Sequence, residues 1–227
     1  MIKACVFDAY GTLFDVGAAA RMAAREPGAE GWAASWPELA ANWRRKQLEY
    51  TWLRAVAGAH RDFWDVTQDA LDWSLQAAGL SDATLRERLL ALYWELAAFP
   101  EVPQMLAQLA DRGQRLAILS NGSPGMLDAA VRSAGLDGQF EALLSVEEVG
   151  VFKPHASVYG LVEKRMGLQP DKVLFVSSNG WDACSGAAFG FRTVWVNRDG
   201  APADRLHGTP DLTLRDLSDL PAALQGI

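Results

Sequence analysis

VFDAYGTLFD, residues 6–15, brings a short apolar run to an end at Asp8 and then turns at Gly11. Apolar β-branched and aromatic residues favour a strand, and a strand covered on both faces is apolar along its whole length. Asp8 therefore stands at the end of a buried strand. A carboxylate in that position is either an ordinary turn former or a functional group.

Further apolar runs of the same kind follow along the chain, and helical patterns lie between most of them. The runs are QRLAILSN (114–121), EALLSV (141–146), KVLFVSS (172–178), RTVWVN (192–197) and the shorter DLTL (211–214). Strands that alternate with helices in this way indicate a parallel sheet covered on both faces. The fold class predicted is α/β.

The segment from residue 16 to residue 99 has no convincing strand pattern. In DFWDVTQDALDWSLQAAG (62–79) apolar residues recur at intervals of three and four, as one face of a helix requires. These residues are Phe63, Val66, Ala70, Trp73 and Ala77. We therefore predict a helical domain at 16–99, inserted into a core domain made of 1–15 and 100–227.

Seven of the nine tryptophans fall in this predicted insert: Trp32, Trp36, Trp43, Trp52, Trp64, Trp73 and Trp94. We interpret them as the core of the insert or as a contact between subunits, in preference to a cofactor site. A homodimer is therefore an expected assembly.

The chain of 227 residues is half apolar, and 28 acids against 21 basic residues give it a net charge of −7. This balance argues against nucleic acid or an anionic membrane surface as a partner. No apolar run approaches the roughly 20 residues that span a bilayer. Because Asp8 interrupts the N-terminus too early for a secretion signal, we expect a cytoplasmic location.

Polar side chains follow several of the predicted strands at the point where each one ends. Each alone could be a turn residue, a helix cap or a solvated charge. The carboxyl ends of parallel strands meet at one edge of a sheet, however, and ligands usually bind there. The sequence therefore predicts a site composed of Asp8, Ser120, Asn121, Lys153, Ser177, Asn179 and Asp182.

The motifs DAYGTLFD, LSNGSP, KP and VSSNGWD, in this order and separation, resemble the haloacid dehalogenase superfamily. The resemblance covers the whole chain and implies a Rossmann-like core with a helical cap inserted after the first motif. It implies that Asp8 is a nucleophile that forms a covalent ester, for which a carboxylate needs no deprotonation. Lys153 would keep Asp8 ionised, and Thr12, Ser177 and Asn179 would orient it.

Two positions depart from the pattern of the phosphatases in this superfamily. Tyr10 replaces the second acid of the first motif, which would protonate a leaving alcohol, and Ser178 replaces an acid that would help to bind Mg²⁺. A halide leaves as a stable anion and needs neither group. The departures favour the branch that acts on L-2-haloacids, with no metal and no cofactor.

The segment NWRRKQLEYTWLRA (42–55) resembles the cap helix of that branch, in which the first arginine after the tryptophan receives the halide. This assigns the role to Arg44. Helical periodicity alone does not choose between Arg44 and Arg45. Arginine suits the role because it stays charged when it is removed from water.

The resemblance implies hydrolysis of short L-2-haloalkanoic acids to D-2-hydroxy acids with release of halide. Asp182, with Lys153 and Asn179, would place or activate the hydrolytic water. The residues expected to hold the substrate are Ser120, Asn121 and the backbone amides near Ala9 and Tyr10, and those expected to wall the pocket are Leu48, Phe63, Tyr159 and Trp181. The alternatives are a phosphatase of the same superfamily and a catalytically silent α/β binding module. A dinucleotide-binding protein is a weaker alternative, because no G-x-G-x-x-G follows the first strand.

Overall fold

The computed structural model describes residues 1–226 and contains one parallel sheet in this part of the chain. Its strands are β1 (Ala4–Phe7), β2 (Arg115–Ser120), β3 (Ala142–Ser145), β4 (Val173–Ser177), β5 (Arg192–Val196) and β6 (Leu212–Leu214). They pair in the order β3-β2-β1-β4-β5-β6, and every pair is parallel. The predicted α/β fold with a parallel sheet is confirmed.

Strand β1 is central, and all four of its residues are buried. From β1 the chain builds β2 and β3 on one side, and then crosses to build β4, β5 and β6 on the other. The carboxyl ends on either side of such a reversal leave a crevice in which ligands bind. Asp8 follows β1 directly, so this crevice opens beside its carboxylate.

The helices fall into two groups along the chain. Between β1 and β2 lie α1 (Ala18–Ala23), α2 (Trp36–Ala57), α3 (Phe63–Ala77), α4 (Ala83–Trp94) and α5 (Val102–Asp111). The others are α6 (Pro124–Ser133), α7 (Ala156–Met166), α8 (Gly180–Phe189) and the short α9 (Leu220–Ala223). Within residues 1–226, no helix is long and apolar enough to cross a membrane.

Helix α3 begins at a capped terminus, where the Asp62 side chain accepts from the Trp64 amide. Its buried face differs from the predicted one. Phe63, Val66 and Ala70 are buried as expected, but Trp73 is half-buried and Ala77 is exposed. Leu71 and Leu75 are buried in their place, so the buried face of the second half of the helix includes these two leucines.

Most tryptophans of the predicted insert lie at the edge of the hydrophobic core and not inside it. Of the seven, only Trp43 is fully buried, with its indole N–H donating to the Thr67 carbonyl at 2.9 Å. The remainder lie half-buried or exposed on helix surfaces, and Trp64 and Trp94, for example, pack together with ring centroids 4.8 Å apart.

Two antiparallel chain segments join the helices α1–α4 to the sheet. The Phe99 amide donates to the Leu13 carbonyl at 2.9 Å, and the Asp15 amide donates to the Ala97 carbonyl at 3.0 Å. The segment that leaves the sheet at residues 13–15 is therefore hydrogen-bonded to the segment that returns to it at residues 97–99.

Candidate active site

The turn that follows β1 fixes the position of Asp8. The Asp8 amide donates to the Val176 carbonyl at 2.9 Å, which continues the pairing of β1 with β4. Gly11 then adopts φ +89°, a conformation that favours glycine, and a side chain there would approach Ser178 Oγ to 3.2 Å. Asp8 is left only 6% exposed at the centre of the sheet edge.

Three side chains donate hydrogen bonds to the Asp8 carboxylate. The Thr12 hydroxyl donates to Oδ2 at 2.9 Å, and the side-chain NH₂ of Asn179 donates to the same oxygen at 3.0 Å. Lys153 Nζ donates to Oδ1 at 3.2 Å. Since Thr12 Oγ1 itself accepts from the Ser178 amide at 2.8 Å, its own proton is free to point at Asp8.

Lys153 Nζ lies between two carboxylates in the interior of the protein. It donates to Asp182 Oδ2 at 2.8 Å as well as to Asp8, and the Tyr159 hydroxyl donates to Asp182 Oδ1 at 2.7 Å. Burial lowers the pKa of Lys153, but the charges of Asp182 and Asp8 outweigh it, so the net pKa is raised. Burial is also the main reason that the pKa of Asp182 is raised.

Arg44 reaches from helix α2 to the sheet edge. One guanidinium nitrogen donates to the Tyr10 carbonyl at 3.1 Å and lies 3.4 Å from Asn179 Oδ1, and another donates to Gln47 Oε1 at 2.8 Å. Arg45 points away from the site, is mainly exposed and pairs with Glu49 on its own helix. The structure thus places Arg44, and not Arg45, beside the Asp8 cluster.

Ser120 and Asn121 lie at the end of β2, next to Asp8. Ser120 Oγ accepts from the Gly122 amide at 3.0 Å. Asn121 Oδ1 accepts from the Lys153 amide at 3.0 Å, which fixes the orientation of its side chain and turns the NH₂ group the other way. The Ser120 hydroxyl and the Asn121 NH₂ are therefore oriented as donors for an anion.

Aromatic rings cover the cluster on the side of the helices. The Tyr10 ring packs against Phe63 at 5.9 Å between centroids and stacks with Tyr93 at 5.7 Å. Burial raises the pKa of Tyr10 well above its usual value, so its phenol stays neutral. Among the other expected pocket residues, Ala9 is buried, whereas Leu48 and Trp181 are half-buried.

Two residues have contacts that differ from those expected. Ser177 Oγ accepts from the Asn179 backbone N–H at 3.2 Å, so Ser177 positions Asn179 and is not one of the three side chains that donate to Asp8. The Tyr159 ring packs among Phe175, Phe189 and Phe191 in the core and is not a pocket wall. Its hydroxyl reaches Asp182, which sequence spacing could not indicate because the two residues meet through tertiary packing.

Gln47, which was not predicted as a site residue, holds Arg44 by accepting a hydrogen bond from its guanidinium. Gln47 is buried, and its amide donates to Thr67 Oγ1 at 2.7 Å and to the Tyr93 hydroxyl at 3.0 Å. The sequence carried a signal for it, because Gln47 lies three residues after Arg44 and therefore on the same helix face.

Arg198 is a second polar residue that was not predicted, and it contacts both chain segments that connect the sheet to helices α1–α4. It donates to the Thr12 carbonyl at 2.9 Å and lies 2.7 Å from Glu101 Oε1. Its guanidinium also lies 3.7 Å from the centre of the Phe99 ring. It therefore ties the turn that carries Thr12 to the segment that returns from the helices. No motif marked it.

Comparison with known proteins identifies the family of the chain. The family model of the haloacid dehalogenase-like hydrolases matches residues 2–190. The chain belongs to this family. The resemblance read from the motifs is confirmed.

Within the family, the chain is similar to several haloacid dehalogenases along its whole length. It is 46% identical to the (S)-2-haloacid dehalogenase of Pseudomonas sp. strain YL, over 95% of this chain and 91% of that protein. It is 42% identical to (S)-2-haloacid dehalogenase 1 of Pseudomonas sp. strain CBS-3, over 98% and 96%. A solved structure of the L-2-haloacid dehalogenase from Xanthobacter autotrophicus with chloropropionic acid covalently bound is 40% identical, has a TM-score of 0.88 and is covered completely by this chain.

The residues of this haloacid dehalogenase-like hydrolase do not fit Mg²⁺, the ion that the phosphatase pattern implies. Within residues 1–226, no group of three or more acids, histidines or cysteines could hold a metal ion. Lys153 Nζ already lies between the Asp8 and Asp182 carboxylates, and Ser178 Oγ lies 3.1 Å from the Thr12 hydroxyl. Mg²⁺ requires near-octahedral oxygen ligands, so we derive no step through a metal.

Proposed function

We propose that this protein hydrolyses short L-2-haloalkanoic acids to D-2-hydroxy acids and halide, through an ester on Asp8. The observation that carries the proposal is the Asp8 carboxylate itself. It is buried, three donors hold it, and one of them is the Lys153 ammonium. No acid stands at position 10 or 178 to serve phosphate chemistry. The names of the relatives supply the substrate class.

In the first step, Asp8 attacks the α-carbon of the substrate from the face opposite the halogen. Oδ2 accepts two hydrogen bonds and Oδ1 accepts only one, a longer bond from Lys153, so Oδ1 is the freer nucleophile. The new bond joins Oδ1 to the α-carbon, and the carbon–halogen bond breaks with its electron pair on the halide. The configuration at the α-carbon inverts once.

Arg44 and Asn121 receive the departing halide. The guanidinium lies at the Tyr10 carbonyl beside the cluster, and the Asn121 NH₂ faces away from the Lys153 amide. Charged and preorganised donors stabilise the charge that develops on the leaving atom. The Gln47 contact holds the arginine side chain in place before the substrate binds.

In the second step, water attacks the Asp8 carbonyl carbon. Asp182 takes a proton from this water, and Lys153 and Asn179 help to place it. The two donors on Oδ2, Thr12 and Asn179, stabilise the negative charge on that oxygen in the tetrahedral intermediate. The bond from the carbonyl carbon to Oδ1 then breaks, the product oxygen takes the second water proton from the new Asp8 carboxyl group, and Asp8 returns to its ionised form. Asp182 releases the first water proton to solvent.

The substrate carboxylate is bound by Ser120, Asn121 and the backbone amides near Ala9 and Tyr10. Leu48, Phe63 and Trp181 form the apolar wall. We further propose that residues 16–99 act as a cap domain over a core domain made of 1–15 and 100–227, so that Arg44 comes from the cap and Asp8 from the core. Homodimer formation and a cytoplasmic location stay predictions, and sedimentation of the purified protein tests the first.

A panel of three compounds tests the function. We expect halide and D-lactate from (S)-2-chloropropionate, little halide from the (R)-enantiomer, and no phosphate from p-nitrophenyl phosphate. Lactate of the L-configuration, or a racemic product, would contradict a single inversion. Release of phosphate without halide would favour the phosphatase alternative, and binding without either product would favour the silent module.

A further inference from the structure

The guanidinium of Arg44 is held by uncharged oxygen atoms. It donates to Gln47 Oε1 at 2.8 Å and to the Tyr10 carbonyl at 3.1 Å, and Asn179 Oδ1 lies 3.4 Å from it. Within residues 1–226, Arg44 forms no ion pair with an acid. An arginine side chain stays charged in such a half-buried place. Its positive charge is therefore fixed in position without being paired to a carboxylate.

The side-chain amide of Gln47 has a single orientation that satisfies its neighbours. The Thr67 hydroxyl donates its one proton to the Phe63 carbonyl at 2.8 Å, so toward Gln47 it can only accept. The Gln47 NH₂ therefore faces Thr67 Oγ1 at 2.7 Å, and Oε1 faces Arg44. The reversed amide would turn its NH₂ toward the guanidinium and its oxygen toward the lone pairs of Thr67, so both hydrogen bonds would be lost.

The polar group around Gln47 is closed to solvent and joins three helices. Gln47 on α2 is 1% exposed, and Thr67 on α3 is completely buried. Tyr93 on α4 accepts the second proton of the Gln47 NH₂ at 3.0 Å. Buried polar groups are costly unless they are hydrogen-bonded, and a buried network whose members are all hydrogen-bonded keeps one geometry. Gln47 therefore holds a fixed oxygen against Arg44.

We propose that Gln47 is a positioning residue that orients Arg44 through a neutral oxygen and so leaves the charge of the guanidinium to the departing halide. The proposal rests on the proposed function, in which Arg44 receives that halide. An acid in place of Gln47 would also hold the guanidinium, but its negative charge would offset the charge of Arg44 and repel the halide. A poorer leaving group needs more stabilisation of its developing charge. Gln47 therefore determines how well 2-chloro acids react relative to 2-bromo acids.

The experiment measures the bromo/chloro ratio, which is kcat/KM for (S)-2-bromopropionate divided by kcat/KM for (S)-2-chloropropionate. The ratio reports the steps up to cleavage of the carbon–halogen bond and does not depend on how much of the protein is folded. Gln47→Glu keeps the size of the side chain and adds a charge, and it should raise the ratio by about threefold or more, because chloride loses the most stabilisation. Gln47→Met removes the acceptor without adding a charge and should raise the ratio less.

Further variants separate an effect through Arg44 from a general structural effect. In an Arg44→Ala background, Gln47→Glu should leave the bromo/chloro ratio unchanged, because the cation on which it acts is gone. Thr51→Val is the matched control, because Thr51 is also buried on α2 and its hydroxyl donates to the Leu48 carbonyl. It should keep the wild-type ratio. If Gln47→Glu does not fold, Thr67→Val, which removes the acceptor that orients the amide, should raise the ratio in its place.

The outcomes separate this inference from the function on which it rests. If Gln47→Glu lowers kcat/KM for both compounds by the same factor, Gln47 only supports the fold, and the inference is overturned while the dehalogenase function stands. An equal change of the bromo/chloro ratio with and without Arg44 would also overturn it. If wild type releases halide from neither compound, the proposed function itself fails.

Discussion

Lys153 and Asp182 form an ion pair that is closed to solvent, with Nζ 2.8 Å from Oδ2 and side chains 1% and 0% exposed. The same ammonium lies 3.2 Å from Asp8 Oδ1. A buried charge without a partner is costly, so this cation is held by both acids, and both acids depend on it. The proposed nucleophile and the proposed general base are thus linked through one side chain.

Replacement of Asp182 should separate the two chemical steps. In Asp182→Asn, Asp8 keeps its three donors and can still attack, but no base remains for the water. We expect a burst of about one equivalent of halide per site, followed by slow turnover, and the mass of the protein alkylated at Asp8 should be visible after acid quench. Asp171→Asn, at an exposed pair with Lys172, is the control and should turn over normally. A variant that releases no burst halide would place Asp182 in the first step instead.

Removal of the two cap arginines should have unequal effects. Arg44→Ala removes a donor to the departing halide and should slow ester formation by about 10²-fold or more. Arg45→Ala removes an exposed pair with Glu49, which contributes little, and should stay close to wild type. Single-turnover halide release measures both rates. Equal losses in the two variants, or a greater loss in Arg45→Ala, would reverse the assignment.

Stability should fall at alkaline pH. Burial raises the pKa of Tyr10, Tyr93 and Tyr159 in the folded state, while the unfolded chain ionises near its usual value of about 10. The raised pKa contributes stability that is fully present below about pH 10 and is lost as the pH rises further. Urea unfolding between pH 8 and 11 measures this slope. Tyr10→Phe removes one of these phenols, so its slope should be shallower, and an identical slope would show that Tyr10 does not contribute.

The metal dependence follows from Tyr10 and Ser178. Halide release should be the same with and without excess EDTA, because Lys153 already compensates the two acids. Added Mg²⁺ should bring no phosphatase activity, and Tyr10→Asp alone should bring little, because an acid cannot neutralise a phosphoryl dianion beside Asp8. Weak Mg²⁺-dependent phosphatase activity should need Ser178→Asp in addition. Loss of halide release in EDTA and its return with Mg²⁺ would contradict the metal-free site.

The sequence was sufficient for the sheet and for the placement of the polar residues at its edge. Several of the predicted strands ended in a polar residue after an apolar run, and the ends of parallel strands meet at one edge of a sheet, so Asp8, Ser120 and Asn179 could be brought together from the sequence. The motif also selected Arg44 over Arg45 where helical periodicity could not.

What the sequence could not provide depends on packing between elements. The last two positions of the buried face of α3 were predicted wrongly, because Trp73 and Ala77 fit the helical period as well as Leu71 and Leu75 do. Tyr159 was expected at the pocket, but its hydroxyl meets Asp182 across two helices. Arg198 lies in a loop with no motif. Its contacts with Thr12 and Phe99 depend on the tertiary pairing of the two connecting segments, which the sequence does not show.

The central claim is that Asp8 carries the substrate as an ester, and a single turnover in H₂¹⁸O tests it most directly. With enzyme in excess over (S)-2-chloropropionate, water attacks the Asp8 carbonyl carbon, so the label should enter Asp8 while the first D-lactate stays unlabelled. Mass spectrometry of the peptide that contains Asp8 measures this, and Asp8→Asn should show neither label nor turnover. Label that appears in the lactate, with none in Asp8, would mean that water attacks the α-carbon directly and would contradict the account.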